Sequence, residues 1–294
     1  MFGECHAHII MDGNEYRPAV ALHERGIDES VIHRHFKGYQ EHGINFVREC
    51  GDALGVSLRA KTLAPQYGID YRTPCFAIHK VGHYGGIVGR GFSTMKEYAL
   101  LVEEAMDSGA DFIKIMTTGI LDFSNFGKIV AGSALEANEV KEMVHIAHEH
   151  GFAVASHTNG AQAIIDAVEA GVDSIEHGNY LDASCIQALA ESKTALVPTA
   201  AVAVSQKGTG RHRDEELLKI IEASAQAIAE AFEAGVVLAL GSDAGAPGVK
   251  HGEGLLNEYA FFLQCFDNQE LLDARLREGE LFIKNTFKRP EHSL

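Results

Sequence analysis

Five times along this chain a charge-rich amphipathic segment closes on a glycine and an apolar run soon follows. Glu41-His42-Gly43 precedes INFVREC, Asp107-Ser108-Gly109 precedes FIKIM, Glu149-His150-Gly151 precedes FAVASH, and Gly171 and Gly235 precede VDSIEH and VVLALGSD. Glycine enters the left-handed conformation without a Cβ penalty, so each copy reads as helix, cap, short loop and buried strand. GECHAHII at the start, TPCFAIH near residue 75 and TALVPT near residue 195 bring the candidate strands to eight. Eight alternating units over 294 residues predict an α/β chain folded as a (β/α)8 TIM barrel rather than an open doubly wound sheet. No linker or low-complexity tract interrupts the series, so residues 1–294 read as a single domain.

The pattern is weakest over residues 52–95. There GDALGVSLRAKTLAPQYGIDYRTP offers a short helix at best, and HKVGHYGGIVGRGFS reads as a long glycine-rich loop after the third strand. A second irregular loop, VAVSQKGTGRHRDEE, follows the seventh strand, and a charged helix, EGELFIKNTFKRP, comes near the end. Loops that follow barrel strands lie at the mouth where such folds place their active sites.

Charge narrows the partners. With 25 basic against 41 acidic side chains and a net charge of -16, neither nucleic acid nor an anionic membrane surface fits as the main partner; a small-molecule substrate does. Cys5, Cys50, Cys75, Cys185 and Cys265 are odd in number and scattered, which indicates neither a disulfide framework nor a thiolate zinc site and predicts reduced thiols in a cytoplasmic protein. No apolar stretch approaches the roughly 20 residues of a membrane span, and the N-terminus lacks the regions of a signal peptide.

Six side chains in order, His6, His8, Lys114, His157, His177 and Asp243, fall at the ends of strand-like runs. Residues two apart on a strand share a face, so His6 and His8 project together and can share a metal. Lys114 faces opposite Ile113 and Ile115; His157 shares its face with Ala153 and Ala155; Asp243 shares its face with Val237, Ala239 and Gly241, leaving Val236, Leu238 and Leu240 for the helices. Singly, each has an ordinary reading: a hydrogen-bonded core histidine, a salt-bridge lysine, a helix-capping aspartate. Independent core residues would not all choose the C-terminal ends of their strands, and together they point to a metal site. A buried lysine that loses its proton can react with carbon dioxide to form a carbamate, whose two oxygens would bridge two cations.

At this point the chain resembles the amidohydrolase superfamily, in which HxH, a strand-four Lys, two further His and a strand-eight Asp hold a binuclear site. FIKIMTTG, AIIDAVEAGVDSIEHG and GSDAG followed by Pro247 and His251 are similar to the branch of metal-dependent prolidases and imidazolonepropionase-like proteins. The resemblance implies that His6, His8 and Asp243 hold one divalent ion, that His157 and His177 hold the other, and that carbamylated Lys114 bridges them. Zinc is the default expectation, with manganese, iron, nickel and cobalt open. It further implies that a hydroxide between the ions attacks a C–N amide bond of a dipeptide or cyclic amide. Asp243 then shuttles the proton to the leaving nitrogen while the second ion polarises the carbonyl. Lactone or phosphotriester hydrolysis on the same site is the alternative, and a metal-dependent binding protein without turnover is a third class.

His83 in VGHYGG matches, in its Gly-His context, a position that faces substrate in the prolidase-like branch, and is the expected donor to the carbonyl. Tyr84, Arg90, Tyr180 and His251 flank mouth loops and are candidates for substrate contacts. Lys207, Arg211, His212 and Arg213 form a basic cluster in an acidic chain; solvated loop charge is its ordinary reading, attraction of an anionic substrate the other. Most relatives in the branch carry a small β-sandwich built from residues flanking the barrel, for which this sequence leaves no residues. Either a barrel-only form or a piece of a longer product is expected. The first strand lies so near the terminus that fraying would loosen two ligands, which makes a homo-oligomer that protects it an expectation.

Overall fold

A computed structural model describes residues 1–289, so residues 290–294 of the anticipated domain lie outside the description. In chain order the strands are β1 (Glu4–Ala7), β2 (Phe46–Glu49), β3 (Asp70–Arg72), β4 (Ala77–Lys80), β5 (Gly89–Phe92), β6 (Ile113–Met116), β7 (Ile120–Leu121), β8 (Ile129–Val130), β9 (Val154–Thr158), β10 (Ser174–His177) and β11 (Ala195–Val197). The helices are α1 (Tyr16–Ala21), α2 (Glu29–Glu41), α3 (Val56–Leu63), α4 (Met95–Ser108), α5 (Ala137–Glu149), α6 (Ala161–Ala170), α7 (Ala183–Ala190), α8 (Ala201–Gln206), α9 (Asp214–Glu233), α10 (Glu253–Cys265) and α11 (Gln269–Thr286). The glycines that punctuate the sequence take positive φ: 68° at Gly43, 86° at Gly109, 78° at Gly151, 88° at Gly171 and 85° at Gly235.

Parallel pairing runs in two sheets, β1-β2-β3 and β11-β10-β9-β6-β4-β5. They belong to one ring. β3 and β4 are successive halves of the third barrel strand, broken where Pro74 has no N–H to give and Cys75 takes a φ of 68°. On the far side, residues 236–244 bond to both neighbours. Leu196 N donates to Val237 O and Ala239 N to Leu196 O, while Cys5 N donates to Leu240 O and Asp243 N to His6 O. The expected eighth strand is thus present as a bridging segment rather than a regular strand. At Gly241 the cause is close approach: a Cβ there would fall 2.5 Å from Val197 Cγ1 and 2.8 Å from the His6 nitrogen. The ring is that of the expected (β/α)8 TIM-barrel-like fold.

Period-two alternation sorts the core into two layers. Ile113, Ile115, Val154, Ile175, Leu238 and Leu240 pack outward under the helices. Cys5, Phe46, Phe112, Ala155, Val197 and Ala239 fill the ring, where Ile283 and Phe287 from the end of α11 join them. The charged closing helix therefore hides an apolar edge that plugs the barrel.

The uncertain stretches contain more regular structure than their sequence announces. β3 lies in IDYR, α3 precedes it, β5 runs alongside β4 inside the glycine-rich loop, and α8 occupies the start of the loop after β11. The first strand is also better held than its position suggests, since β1 is wholly buried between β2 and residues 236–244. Phe2 packs on Tyr259 with ring centroids 5.2 Å apart, under the Arg277 guanidinium at 5.0 Å. Among the described residues no helix is long and apolar enough to cross a membrane.

Gly279 makes the plug testable. A Cβ there would fall 1.8 Å from the Leu238 carbonyl oxygen. Helix propensity alone favours Ala over Gly by about 1 kcal/mol, whereas overpacking costs about 1–3 kcal/mol. Gly279→Ala should therefore lower the melting midpoint in a thermal scan, and a rise would show that α11 is free to move away.

Candidate metal centre

His6 and His8 leave β1 on one face, and their Nε2 atoms lie 3.6 and 3.7 Å from Asp243 Oδ1. Ligands about 2.1 Å from one tetrahedral ion stand roughly 3.4 Å apart, so this trio needs little movement to hold one. The ring centroid of His177 lies 4.9 Å from that of His6 and 4.6 Å from that of His157. Lys114 is buried within the same wall of the cavity. The six residues separated by up to 237 positions in sequence thus meet in one place.

Polar atoms without partners mark what the place is for. His6 Nε2, Lys114 Nζ and Asp243 Oδ1 are buried and make no hydrogen bond. A buried polar atom left unpaired costs about 1–3 kcal/mol, so three on residues lining one cavity fit a site completed by cations.

Each imidazole is held from behind by its other nitrogen. His6 Nδ1 bonds Glu176 Oε2 at 2.6 Å, His8 Nδ1 bonds Gly51 O at 3.3 Å, His177 Nδ1 bonds Thr199 Oγ1 at 2.7 Å, and His157 Nε2 bonds Gly119 O at 3.0 Å. That leaves Nε2 of His6, His8 and His177 and Nδ1 of His157 for a metal, the arrangement by which proteins fix tautomer and ring orientation. Burial first, and then the neighbouring cationic groups, keep His8 and His177 well below the usual histidine range and His157 at about 3, so all three stay neutral as ligands must. Burial also works to lower His6, but the adjacent Cys50 and Glu176 prevail and lift it to about 10.

Glu176 is itself anchored. Arg48 Nη2 donates to both its carboxylate oxygens at 2.8 and 2.9 Å, Arg48 Nη1 donates to Ser174 Oγ at 2.9 Å, and Arg48 Nε donates to Cys5 O at 2.7 Å. Burial alone would raise the Glu176 pKa; Arg48, then Lys114 and His6, hold it well below the ordinary carboxylate range. Glu4 does a parallel task, accepting from His6 N at 3.1 Å and from Ser242 N at 2.8 Å, which ties β1 to the segment carrying Asp243.

Backbone strain is concentrated here. His177, Thr199 and Asp243 have φ of 70°, 54° and 57°, conformations that cost non-glycine residues energy and cluster at functional sites. On β10, Ser174 and Glu176 point into the ring and Ile175 out, so strict alternation would send His177 outward. The left-handed turn brings it back to the cavity wall.

The amidohydrolase family model matches residues 17–275 of the 294, which include Lys114, His157, His177 and Asp243. The chain belongs to the amidohydrolase family. Ochratoxinase of Aspergillus niger is 30% identical over 149 residues, which cover 48% of this chain and 30% of that enzyme. The aligned part thus spans under a third of this curated relative's length. The crystal structure of the same fungal enzyme superimposes with a TM-score of 0.76 at 21% identity, covering 96% of this chain and 71% of the other. A Xaa-Pro dipeptidase with methionine bound in its active site gives a TM-score of 0.75 at 21% identity, over 100% of this chain and 78% of that one.

Not every expected contact belongs to this amidohydrolase cavity, whose volume is about 540 Å3. Tyr84 lines it, its ring 5.2 Å from that of His157. His83 does not line it and instead bonds Ser133 O at 3.2 Å. His251 is committed on both nitrogens, to Tyr39 Oη and Met11 O at 2.8 Å each, and braces loops behind the site. Tyr180 accepts from Gly127 N at 2.9 Å and holds the turn between β7 and β8, and Arg90 pairs with Glu104. Of the basic loop, Arg211 and His212 reach the lining, whereas Lys207 does not and Arg213 faces Glu216 at 3.7 Å.

Arg48, Glu176, Thr199 and Glu4 were missed as working residues. Arg48 and Glu176 did leave a signal, ionisable side chains inside apolar strands, where burial demands a partner. Removing one member strands the other, so Arg48→Met should cost about 3–5 kcal/mol in denaturant unfolding, and the double change Arg48→Met with Glu176→Leu should recover much of it. Thr199→Val removes the hydroxyl behind His177 at almost constant volume. It should weaken metal binding about 10–100-fold in a chelator competition while far-UV circular dichroism stays unchanged.

Proposed function

We propose that this protein is a binuclear metal-dependent hydrolase that cleaves a C–N amide bond of a small molecule, either a dipeptide or a cyclic amide. The observation that carries the reading is the convergence of His6, His8 and Asp243 on one point, with unpartnered Lys114 in the same wall. His6, His8 and Asp243 would hold one ion and His157 and His177 the other. Lys114 would serve as the carbamate between them, formed when its amine adds carbon dioxide and gives up a proton. Zinc is the expected ion, since it suits imidazole and carboxylate donors. Divalent ions bound there supply Lewis acidity and bring the ionisation of water close to neutral pH.

Asp243 faces the attacking water. Its carboxylate takes the proton as the new C–O bond forms and returns it to the nitrogen as the C–N bond breaks, so one water is consumed for each acid and amine produced. Burial, with Asp243 nearby, pushes the Tyr84 phenol up from its ordinary range, which keeps it a hydrogen-bond donor in the cavity. Tyr84 takes over the carbonyl-binding role expected of His83. Ile87, Val88, Leu121 and Phe123 give the cavity apolar walls that exclude water and fit an apolar substrate body.

Metal analysis should give about two ions per chain, and a value near one would overturn the binuclear reading. Lys114→Ala should lose most metal and activity, with partial rescue by small carboxylates such as formate. A panel of dipeptides, lactams, lactones and phosphotriesters should show turnover on the amides. Turnover confined to esters, or full metal occupancy with none, would move the protein to another class.

A further inference from the structure

Glu15 and Arg211 meet at the rim of the cavity from two mouth loops, one just before α1 and the other between α8 and α9. Arg211 Nη1 lies 2.9 Å from Glu15 Oε1, and Nη2 donates to Oε2 at 3.1 Å. The guanidinium and the carboxylate thus meet through one hydrogen bond and a second close ionic contact, and arginine's planar fork is the side-chain group that suits a carboxylate. The pair is open to solvent, with 40% of the Arg211 side chain and 61% of the Glu15 side chain exposed. Ion pairs that exposed contribute little and exchange readily.

Arg211 is also part of the cavity. Among the described residues that line it, Arg211 is the one Lys, Arg, Asp or Glu besides Lys114 and Asp243. Its neighbour His212 fixes the loop in place, with Nδ1 3.2 Å from Ser124 Oγ and its ring 5.5 Å from that of Phe123. Tyr16, the residue after Glu15, lines the cavity as well, so the loop carrying the carboxylate forms part of the same wall.

We propose that the substrate carries a carboxylate beside an apolar body, that Arg211 binds this carboxylate, and that Glu15 is a built-in stand-in displaced when substrate enters. The proposal rests on the reading of the cavity as an amide hydrolase active site. It adds a substrate class and a competing internal ligand. Glu15 keeps the guanidinium oriented and turns away neutral analogues no more than it must, while any anion has to compete with it. Specificity for acidic substrates and affinity for them are thus set by two different residues.

Calorimetric titration of the metal-loaded full chain with 3-phenylpropionate, and with neutral 3-phenylpropan-1-ol as control, tests this without turnover. Arg211→Gln should weaken carboxylate binding about tenfold and leave the alcohol unchanged. Glu15→Gln should tighten carboxylate binding several-fold, again with no effect on the alcohol. Equal effects of Arg211→Gln on both ligands, or none on either, would overturn the carboxylate site; weaker carboxylate binding in Glu15→Gln would make Glu15 a support for Arg211 rather than a competitor. Because neither ligand is hydrolysed, a chain that binds as expected but cleaves no amide would sink the functional reading and leave this one standing.

Discussion

Arg48 and Glu176 are a charged pair with no access to solvent, held in the middle of the barrel by bonds to Cys5 O and Ser174 Oγ as well as to each other. Taking two charges out of water costs several kcal/mol per ion, and the pair persists with each guanidinium nitrogen and each carboxylate oxygen holding at least one hydrogen bond. Its placement links what lies above to what lies below. On one side Glu176 grips His6 Nδ1; on the other the guanidinium rests 4.4 Å from the Phe287 ring and 5.7 Å from that of Phe112. The aromatic plug from α11, the ion pair and His6 form a continuous column. A shift of the closing helix would therefore reach the candidate metal centre through packed side chains rather than through flexible loops.

Around that column the side chains of the candidate metal centre are held in place by their neighbours. A carboxylate, two carbonyls and a hydroxyl set the four imidazoles, while Glu4 locks the strand bearing His6 to the segment bearing Asp243. Strain at His177, Thr199 and Asp243 is stored in the same few residues. Such preparation lowers the cost of reorganisation when charge develops in a reaction. The proposed recognition lies elsewhere, on the loops at the mouth, where Tyr84, Arg211 and Glu15 sit on irregular backbone that can vary without disturbing the ring.

The strand residues of the site were legible because alternation is a strong local rule. Lys114 between Ile113 and Ile115, and Asp243 in phase with Ala239 and Gly241, could be assigned a face from sequence, and the layers of the core agree with those faces. Loop residues obey no such rule. His83, Tyr180 and His251 were placed by context alone, and each is satisfied by a partner that sequence order does not announce: Ser133, Gly127, and Tyr39 with Met11. The third strand was read only in its second half, since Pro74 and Cys75 interrupt it and β3 is three residues long.

By itself the sequence determined the (β/α)8 order, the glycine caps and the identity of six side chains that line one cavity, because helix closure and strand alternation are short-range effects of backbone sterics. Only the tertiary structure decided that Arg48 would find Glu176 128 positions away, that each imidazole would present a particular nitrogen, and that Arg211 would meet Glu15 across the mouth. Those outcomes depend on ring closure, which brings distant strands and loops together, and on the cost of leaving a buried charge or polar atom without a partner.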